Sequence, residues 1–251
     1  MGNYKKDSLG DRMKMYESVQ KTHLMKRTPV IIRLDGKAFH TFTRGLNKPY
    51  DKIMVNTMID TTYELCKNIQ GCVFGYTQSD EITLILCDYQ TLETEAWFDY
   101  RVEKLCSAIA SKTARWFSYL YMNIVADMTE SQDEFKKYAK KFNCADFDVR
   151  VFNVPLDDVT NNVVWRQKDA EKNSVQSLAQ SLYSQKELSG IKCKSLQDKM
   201  FTEKGINWSE LQTYKKRGSA CMRVDKKWTL DLDMPIVSQN RDYVETLIHF
   251  E

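Results

Sequence analysis

A chain of 251 residues with 42% apolar and 28% charged side chains has enough of both for a packed core and a solvated surface, which excludes intrinsic disorder as its main state. No apolar run approaches the roughly 18–20 residues of a membrane-spanning helix, so no membrane partner is expected. The net charge of +3 is too small to demand a nucleic-acid partner by itself, and seven scattered cysteines without a Cys-x-x-Cys pair point to an intracellular, cytoplasmic setting rather than to zinc or a disulfide framework.

In chain order, the spacing predicts an N-terminal helix over 9–25. Val30-Ile31-Ile32-Arg33-Leu34 is a β-branched run that stops at Asp35-Gly36, a buried strand ending in a turn. Behind the N-cap candidate Asp51, the residues Ile53, Met58, Leu65 and Ile69 keep helical spacing, and Gly71 ends the helix. A strand at 72–76, a polar turn over 77–80 and an alternating strand at 82–87 form a hairpin. A long helix over 95–122, a polar loop over 127–143 and a strand at 147–154 closed by Pro155 follow. Beyond lie a helix over 158–183, a helix pair over 188–201, a hairpin at 219–224 and 228–232, and a terminal helix over 242–250.

The order strand, helix, strand, strand, helix, strand is that of an α+β, ferredoxin-like (βαββαβ) core with additional helices and a C-terminal hairpin. The boundary is placed near Pro155. Residues 1–155 are read as the core with its N-terminal helix, and 156–251 as a helical and hairpin extension packed on it.

In this layout the first and third strands are antiparallel neighbours. Asp35 ends the first, and Asp80 and Glu81 open the third. Each alone reads as an ordinary turn; together they crowd three carboxylates at one sheet edge. Such groups repel unless they are protonated or bridged by cations. Carboxylates with few imidazoles select hard ions such as Mg²⁺, and two such ions can clamp an in-line displacement at phosphorus.

Basic residues cluster nearby. Arg33 and Lys37 flank the aspartate, and Lys48 precedes a helix N-terminus, which is a triphosphate site or an ordinary loop and cap. Arg101 and Lys104 share a helix face and could reach the same phosphates or simply face solvent. His40 reads as a core or site-bordering histidine rather than a base. Lys215, Lys216 and Arg217 beside Tyr214 form a segment suited to an RNA backbone or to plain solvation.

The blocks Arg33-Leu34-Asp35-Gly36, Phe39-His40, Asn47-Lys48-Pro49-Tyr50-Asp51 and Gly75-Tyr76-Thr77-Gln78-Ser79-Asp80-Glu81 closely resemble the histidine-tRNA guanylyltransferase family, the 3′-to-5′ nucleotide polymerases. Arg101, Lys104, Ala110-Ser111, Phe147-Asp148-Val149-Arg150-Val151, Leu9-Gly10-Asp11-Arg12-Met13-Lys14 and Tyr214-Lys215-Lys216-Arg217-Gly218 fit the same pattern. The resemblance implies a polymerase-type palm. In it two Mg²⁺ ions sit on Asp35, the Gly36 carbonyl and Asp80, and Glu81 is also needed for activity. It places Lys48, Ser79, Arg101 and Lys104 around the nucleotide triphosphate; Arg33, Lys37, His40 and Asn161 complete the candidate nucleotide-binding set. ATP, GTP or other nucleoside triphosphates would be substrates. ATP would adenylylate a 5′-monophosphorylated tRNA, and the 3′-hydroxyl of an incoming nucleotide would displace the adenylate. A homotetramer is implied as well.

Eukaryotic members that add guanosine to histidine tRNA carry H-I-N-N-L-Y-N shortly before a Trp. Here the stretch Pro155-Leu156-Asp157-Asp158-Val159-Thr160-Asn161 keeps only Asn161, ahead of Trp165. Trp165-Arg166-Gln167-Lys168-Asp169-Ala170 with Asn173-Ser174 resembles instead the guanylyltransferase-like branch associated with template-directed repair of truncated tRNA 5′ ends. The expected function is therefore Mg²⁺-dependent 3′-to-5′ nucleotide addition to tRNA 5′ ends. Histidine-tRNA guanosine addition, a palm-type nucleotide cyclase and a non-enzymatic tRNA-binding protein are the alternatives.

Overall fold

The computed structural model describes residues 8–250. Its strands are β1 (Val30–Gly36), β2 (Cys72–Gln78), β3 (Glu81–Leu86), β4 (Phe147–Asn153), β5 (Ser219–Val224) and β6 (Lys227–Asp231). They form one sheet in the order β4-β1-β3-β2-β5-β6, with every neighbouring pair antiparallel. The first four in this order are the ferredoxin-like arrangement. The C-terminal hairpin extends the same sheet beyond β2.

The helices are α1 (Leu9–Ser18), α2 (Phe39–Phe42), α3 (Lys52–Asn68), α4 (Val102–Met128), α5 (Gln132–Ala139), α6 (Leu156–Leu182), α7 (Gln185–Leu188), α8 (Cys193–Lys204), α9 (Thr213–Arg217) and α10 (Asp242–Glu245). Side chains alternate across a strand, so β1 serves two layers. Val30, Ile32 and Leu34 pack against α3 and α4 with Met58, Leu105 and Ile109. Ile31 packs with Ile85, Val159 and Val163 under α6. Arg33 and Asp35 continue the Ile31 face, where the apolar cover runs out. A polar sheet edge follows directly from that pattern.

The edge rests on aromatic rings. Phe39, Phe42, Phe117, Tyr121 and Phe147 pack with centroids 5.0–5.8 Å apart. Gly36 lies so close to the Phe39 ring that a Cβ would meet it at 2.4 Å, and only glycine permits this approach.

Several boundaries differ from those expected, the terminal helix ending at Glu245 among them, and three of the differences have a visible cause. The N-terminal helix ends at Ser18, because residues 22–24 pair across the chain instead: His23 bridges to Arg101, and the Leu24 N–H donates to the Tyr100 carbonyl at 3.0 Å. The long helix starts at Val102, because Phe98, Asp99 and Tyr100 adopt φ of 52°, 56° and 51°, which no right-handed helix accepts. The expected loop over 127–143 contains α5. Ser131 caps it by accepting from the Glu134 N–H, the Ser-x-x-Glu signature of a helix start. No described helix is long and apolar enough to cross a membrane.

Candidate active site

β1 and β3 pair in a register that sets Asp35 opposite Glu81, and β1 and β4 set Asp35 opposite Asp148. β2 and β3 are joined by the two residues Ser79 and Asp80, with Ser79 in the left-handed region at φ 52°. The Gly36 N–H donates to the Asp80 carbonyl at 3.0 Å. The hairpin tip is thus tied to the end of β1, and Asp35, Gly36, Asp80 and Glu81 meet at one edge.

The electrostatics there are unfavourable in a specific way. Burial pushes the Asp80 carboxyl up, and the negative Asp35 and Glu81 add to this, against hydrogen bonds from Ser79 Oγ at 3.0 Å and from its own backbone N–H. Burial also raises the Asp35 carboxyl, with Glu81 adding repulsion and Arg33 and Arg150 opposing it. Arg33 approaches Asp35 only to 3.9 Å. Among the described residues no lysine or arginine pairs with Asp80. Glu81 is different: Arg33 donates to Oε1, and Arg166 on α6 donates to Oε2.

Three or more His, Cys, Asp or Glu side chains do not converge as a metal cage among the described residues. Mg²⁺ does not require one. It keeps several waters and binds through one or two carboxylates plus phosphate oxygens. Two hard, partly buried carboxylates with raised proton affinity, one of them lacking a counter-cation, fit such an ion.

A cleft of about 610 Å³ opens beside Asp80 and Gly36. Its lining includes Ser79, His40, Lys48, Asn173, Ser174, Lys215 and Lys216. The Lys48 loop is held at both ends. Asp51, 6% exposed, accepts from the N–H groups of Asn47 and Met54 at 3.0 and 3.1 Å and from the Tyr138 hydroxyl at 2.6 Å. It is also the N-cap of α3, as the sequence indicated. Tyr50 and Ser174 share a hydrogen bond of 2.6 Å, and Trp208 Nε1 donates to the same Ser174 Oγ at 3.0 Å. Asp51→Ala removes a cap and strands a buried hydroxyl. It is expected to cost about 2 kcal/mol in urea unfolding and to raise KM for nucleoside triphosphate through a looser Lys48 loop.

Other candidates fall elsewhere. Arg33 is committed to Glu81, and its guanidinium lies 5.6 Å from the Trp165 ring centre. Lys37 points to Asp146 at 3.9 Å and does not line the cleft. Arg101 and Lys104 lie at the far end of β1, because α4 starts from the Leu86 end of β3; there Arg101 pairs with Glu103. Asn161 sits on the first turns of α6, also remote from the cleft, and accepts from Arg241 at 2.9 Å. Within one chain these three reach no phosphate held at Asp80. Arg217 turns from the cleft toward Glu171 at 3.3 Å.

The structure adds residues that sequence reasoning did not single out as site members. Arg166 is 2% exposed and reaches Glu81, and Asn173 lines the cleft in place of Asn161. Asp148 faces Asp35 across the strand pair. The Arg166-x-x-Asp169 spacing on one helix face was the available signal for the first.

Comparison with known proteins agrees with this fold. A family model described as tRNAHis guanylyltransferase matches residues 10–155. A bacterial tRNA(His) guanylyltransferase-like protein in complex with ATP superposes with a TM-score of 0.88 at 38% identity, covering 97% of this chain and 100% of that one. A bacterial protein of the same description in complex with GTP gives 0.80 at 32% identity, with the same coverage. An uncharacterised protein of Acanthamoeba polyphaga mimivirus is 26% identical over 100% of this chain and 91% of its own length. The probable tRNA(His) guanylyltransferase of Homo sapiens is 24% identical, over 86% of this chain and 72% of its own. With its sheet order, its carboxylate edge and a match over more than half its length, the chain belongs to the tRNAHis guanylyltransferase family and is a nucleotidyltransferase.

Proposed function

We propose that the protein adds nucleotides to tRNA 5′ ends in the 3′-to-5′ direction, guided by pairing with the opposite strand, after ATP has activated a 5′-monophosphate. The observation that carries this reading is the meeting of Asp35 and Asp80 beside a cleft with room for a nucleotide and with Lys48, Lys215 and Lys216 in its lining. Relatives solved with ATP and with GTP support nucleoside triphosphates as its substrates.

Asp35, Asp80 and the Gly36 backbone would hold two Mg²⁺ ions. When bound, they supply activation of the attacking oxygen and stabilisation of the departing pyrophosphate. The protein's own groups do the rest. Lys48 and the hairpin-tip Ser79 receive the triphosphate, and Asp51 and Tyr138 keep the Lys48 loop in place. Lys215 and Lys216 in the cleft lining offer positive charge to RNA phosphates. No histidine base is needed; His40 borders the cleft on a short helix. The same reading includes a homotetramer and a cytoplasmic site of action.

Histidine-tRNA guanosine addition is the competing reading, favoured by the names of the curated relatives. Extension of 5′-truncated, monophosphorylated tRNAs with each nucleotide separates the two. Repair predicts incorporation of whichever nucleotide pairs with the opposite strand, and a switch of nucleotide when that template base is changed. Guanosine incorporation irrespective of the opposing base would favour the alternative. Absence of any addition would refute both.

A further inference from the structure

We infer that Arg166 is a positioning residue for the carboxylate edge: from α6 it fixes Glu81, and Glu81 holds the hairpin tip carrying Asp80 instead of ligating a metal. The inference rests on the nucleotidyl-transfer reading of Asp35 and Asp80.

Three observations carry it. First, Arg166 is 2% exposed, and a buried guanidinium is stable only when paired. Its partners are Glu81 and Asp169, the latter at 2.9 Å, and its guanidinium lies 4.5 Å from the Trp165 ring centre. Second, both oxygens of Glu81 are taken by guanidinium groups, one from Arg33 and one from Arg166. Its charge is neutralised on both sides, whereas among the described residues no lysine or arginine pairs with Asp80 and Arg33 comes only to 3.9 Å from Asp35. A carboxylate so engaged is a poor donor for a hard ion, and the two aspartates are good ones.

Third, Glu81 is also anchored through its backbone. The Thr77 hydroxyl donates to the Glu81 carbonyl at 2.9 Å, one residue from the Asp80 carbonyl that receives the Gly36 N–H. The chain of contacts runs from α6 through Arg166 and Glu81 to Asp80. Because α6 also presents Asn173 and Ser174 to the cleft, its seating sets both the carboxylate edge and one cleft wall. One guanidinium nitrogen, Nη2, donates to both Glu81 and Asp169, and a lysine ammonium, a point charge on a different stem, replaces it only in part.

The test uses the full chain as wild type, Arg166→Met, Arg166→Lys, Glu81→Gln and the double variant Glu81→Gln/Arg166→Met. Three quantities are read: kcat and KM for nucleotide addition, Mn²⁺ affinity in the presence of ATP without RNA, and hydrogen exchange at the Gly36 amide. Arg166→Met is expected to lower kcat about 100-fold with KM for ATP little changed, the scale of a small misplacement of reacting groups. Exchange at Gly36 is expected to rise about tenfold above any rise in the core strands. Arg166→Lys recovers part of both. Glu81→Gln behaves alike, the double variant is no worse than either single one, and Mn²⁺ affinity stays within about twofold in all.

The double variant removes the buried pair together, so it reports even if Arg166→Met alone does not fold. Tenfold weaker Mn²⁺ binding in Glu81→Gln but not in Arg166→Met would make Glu81 a ligand and overturn the inference. So would a wild-type rate and wild-type Gly36 exchange in Arg166→Met. If the wild-type chain extends no RNA, the nucleotidyl-transfer reading falls separately, and the Mn²⁺ and exchange measurements still decide the role of Arg166.

Discussion

Asp80→Asn is expected to reduce nucleotide addition by at least about 10³-fold and, in metal-free buffer, to melt above the wild type. Both effects have one origin. Asp80 is a buried carboxylate without a counter-cation, beside Asp35 and Glu81, so its ionised form is costly until a cation arrives. The amide keeps the shape and removes the charge. The gain is set at about 1 kcal/mol, the usual return on relieving a destabilised functional group, and corresponds to roughly 3 °C in Tm for a chain of this size. The pH dependence follows from the direction of the shifts. Folded Asp35 and Asp80 bind their protons more tightly than the unfolded chain does. The resulting stabilisation is complete below the ordinary carboxylate range and is lost as pH climbs through the raised range. Urea midpoints across that interval should fall in the metal-free wild type and fall less in Asp80→Asn. A variant that keeps wild-type addition would remove Asp80 from the chemistry.

Gly218→Val is expected to cost about 4 kcal/mol and lower Tm by about 10 °C. Gly218 has φ +85°, and a Cβ there would meet the Thr77 carbonyl oxygen at 2.6 Å and the Tyr76 ring at 2.7 Å. Neither can yield: Thr77 is ladder backbone of β2, and the Tyr76 hydroxyl donates to the Arg217 carbonyl at 2.7 Å. A β-branched residue adds strain in the left-handed region to the collision. The functional consequence lies two and three residues upstream. Pushing β5 off β2 moves Lys215 and Lys216 from the cleft wall, so RNA affinity should fall and its salt dependence flatten, while ATP affinity changes little. Thermal melting with filter binding at two salt concentrations checks both parts.

Much of this site was legible in the residues. The β-branched run of β1, the alternation in β3 and the helical stripe behind Asp51 were enough for the ferredoxin-like order, and that order alone brings Asp35 to Asp80. What stayed hidden had physical reasons. Arg101 and Lys104 read as cationic neighbours of the phosphates because a one-dimensional pattern does not say at which end of a sheet a helix begins. The left-handed residues Phe98, Asp99 and Tyr100 carry no glycine to announce the break. Arg166 looks in sequence like any surface arginine on a charged helix; beyond its spacing to Asp169, burial against Glu81 is what separates it from Lys168 or Lys172. Asn161 was singled out by a motif alignment, and the turns of α6 deliver Asn173 to the cleft instead.

The family match ends at residue 155, yet the sheet does not. β5 takes the outer flank of β2 from Phe74 to Thr77, and α6 supplies the lid over Ile31 and Ile85. A truncated fragment stopping at Pro155 would present a naked row of peptide groups beside uncovered aromatic and aliphatic side chains, the template on which chains stack into aggregates. The C-terminal segment is therefore constrained from within: its tip and helices tolerate change, but the strand that zips onto β2 must be kept for the first 155 residues to remain in solution.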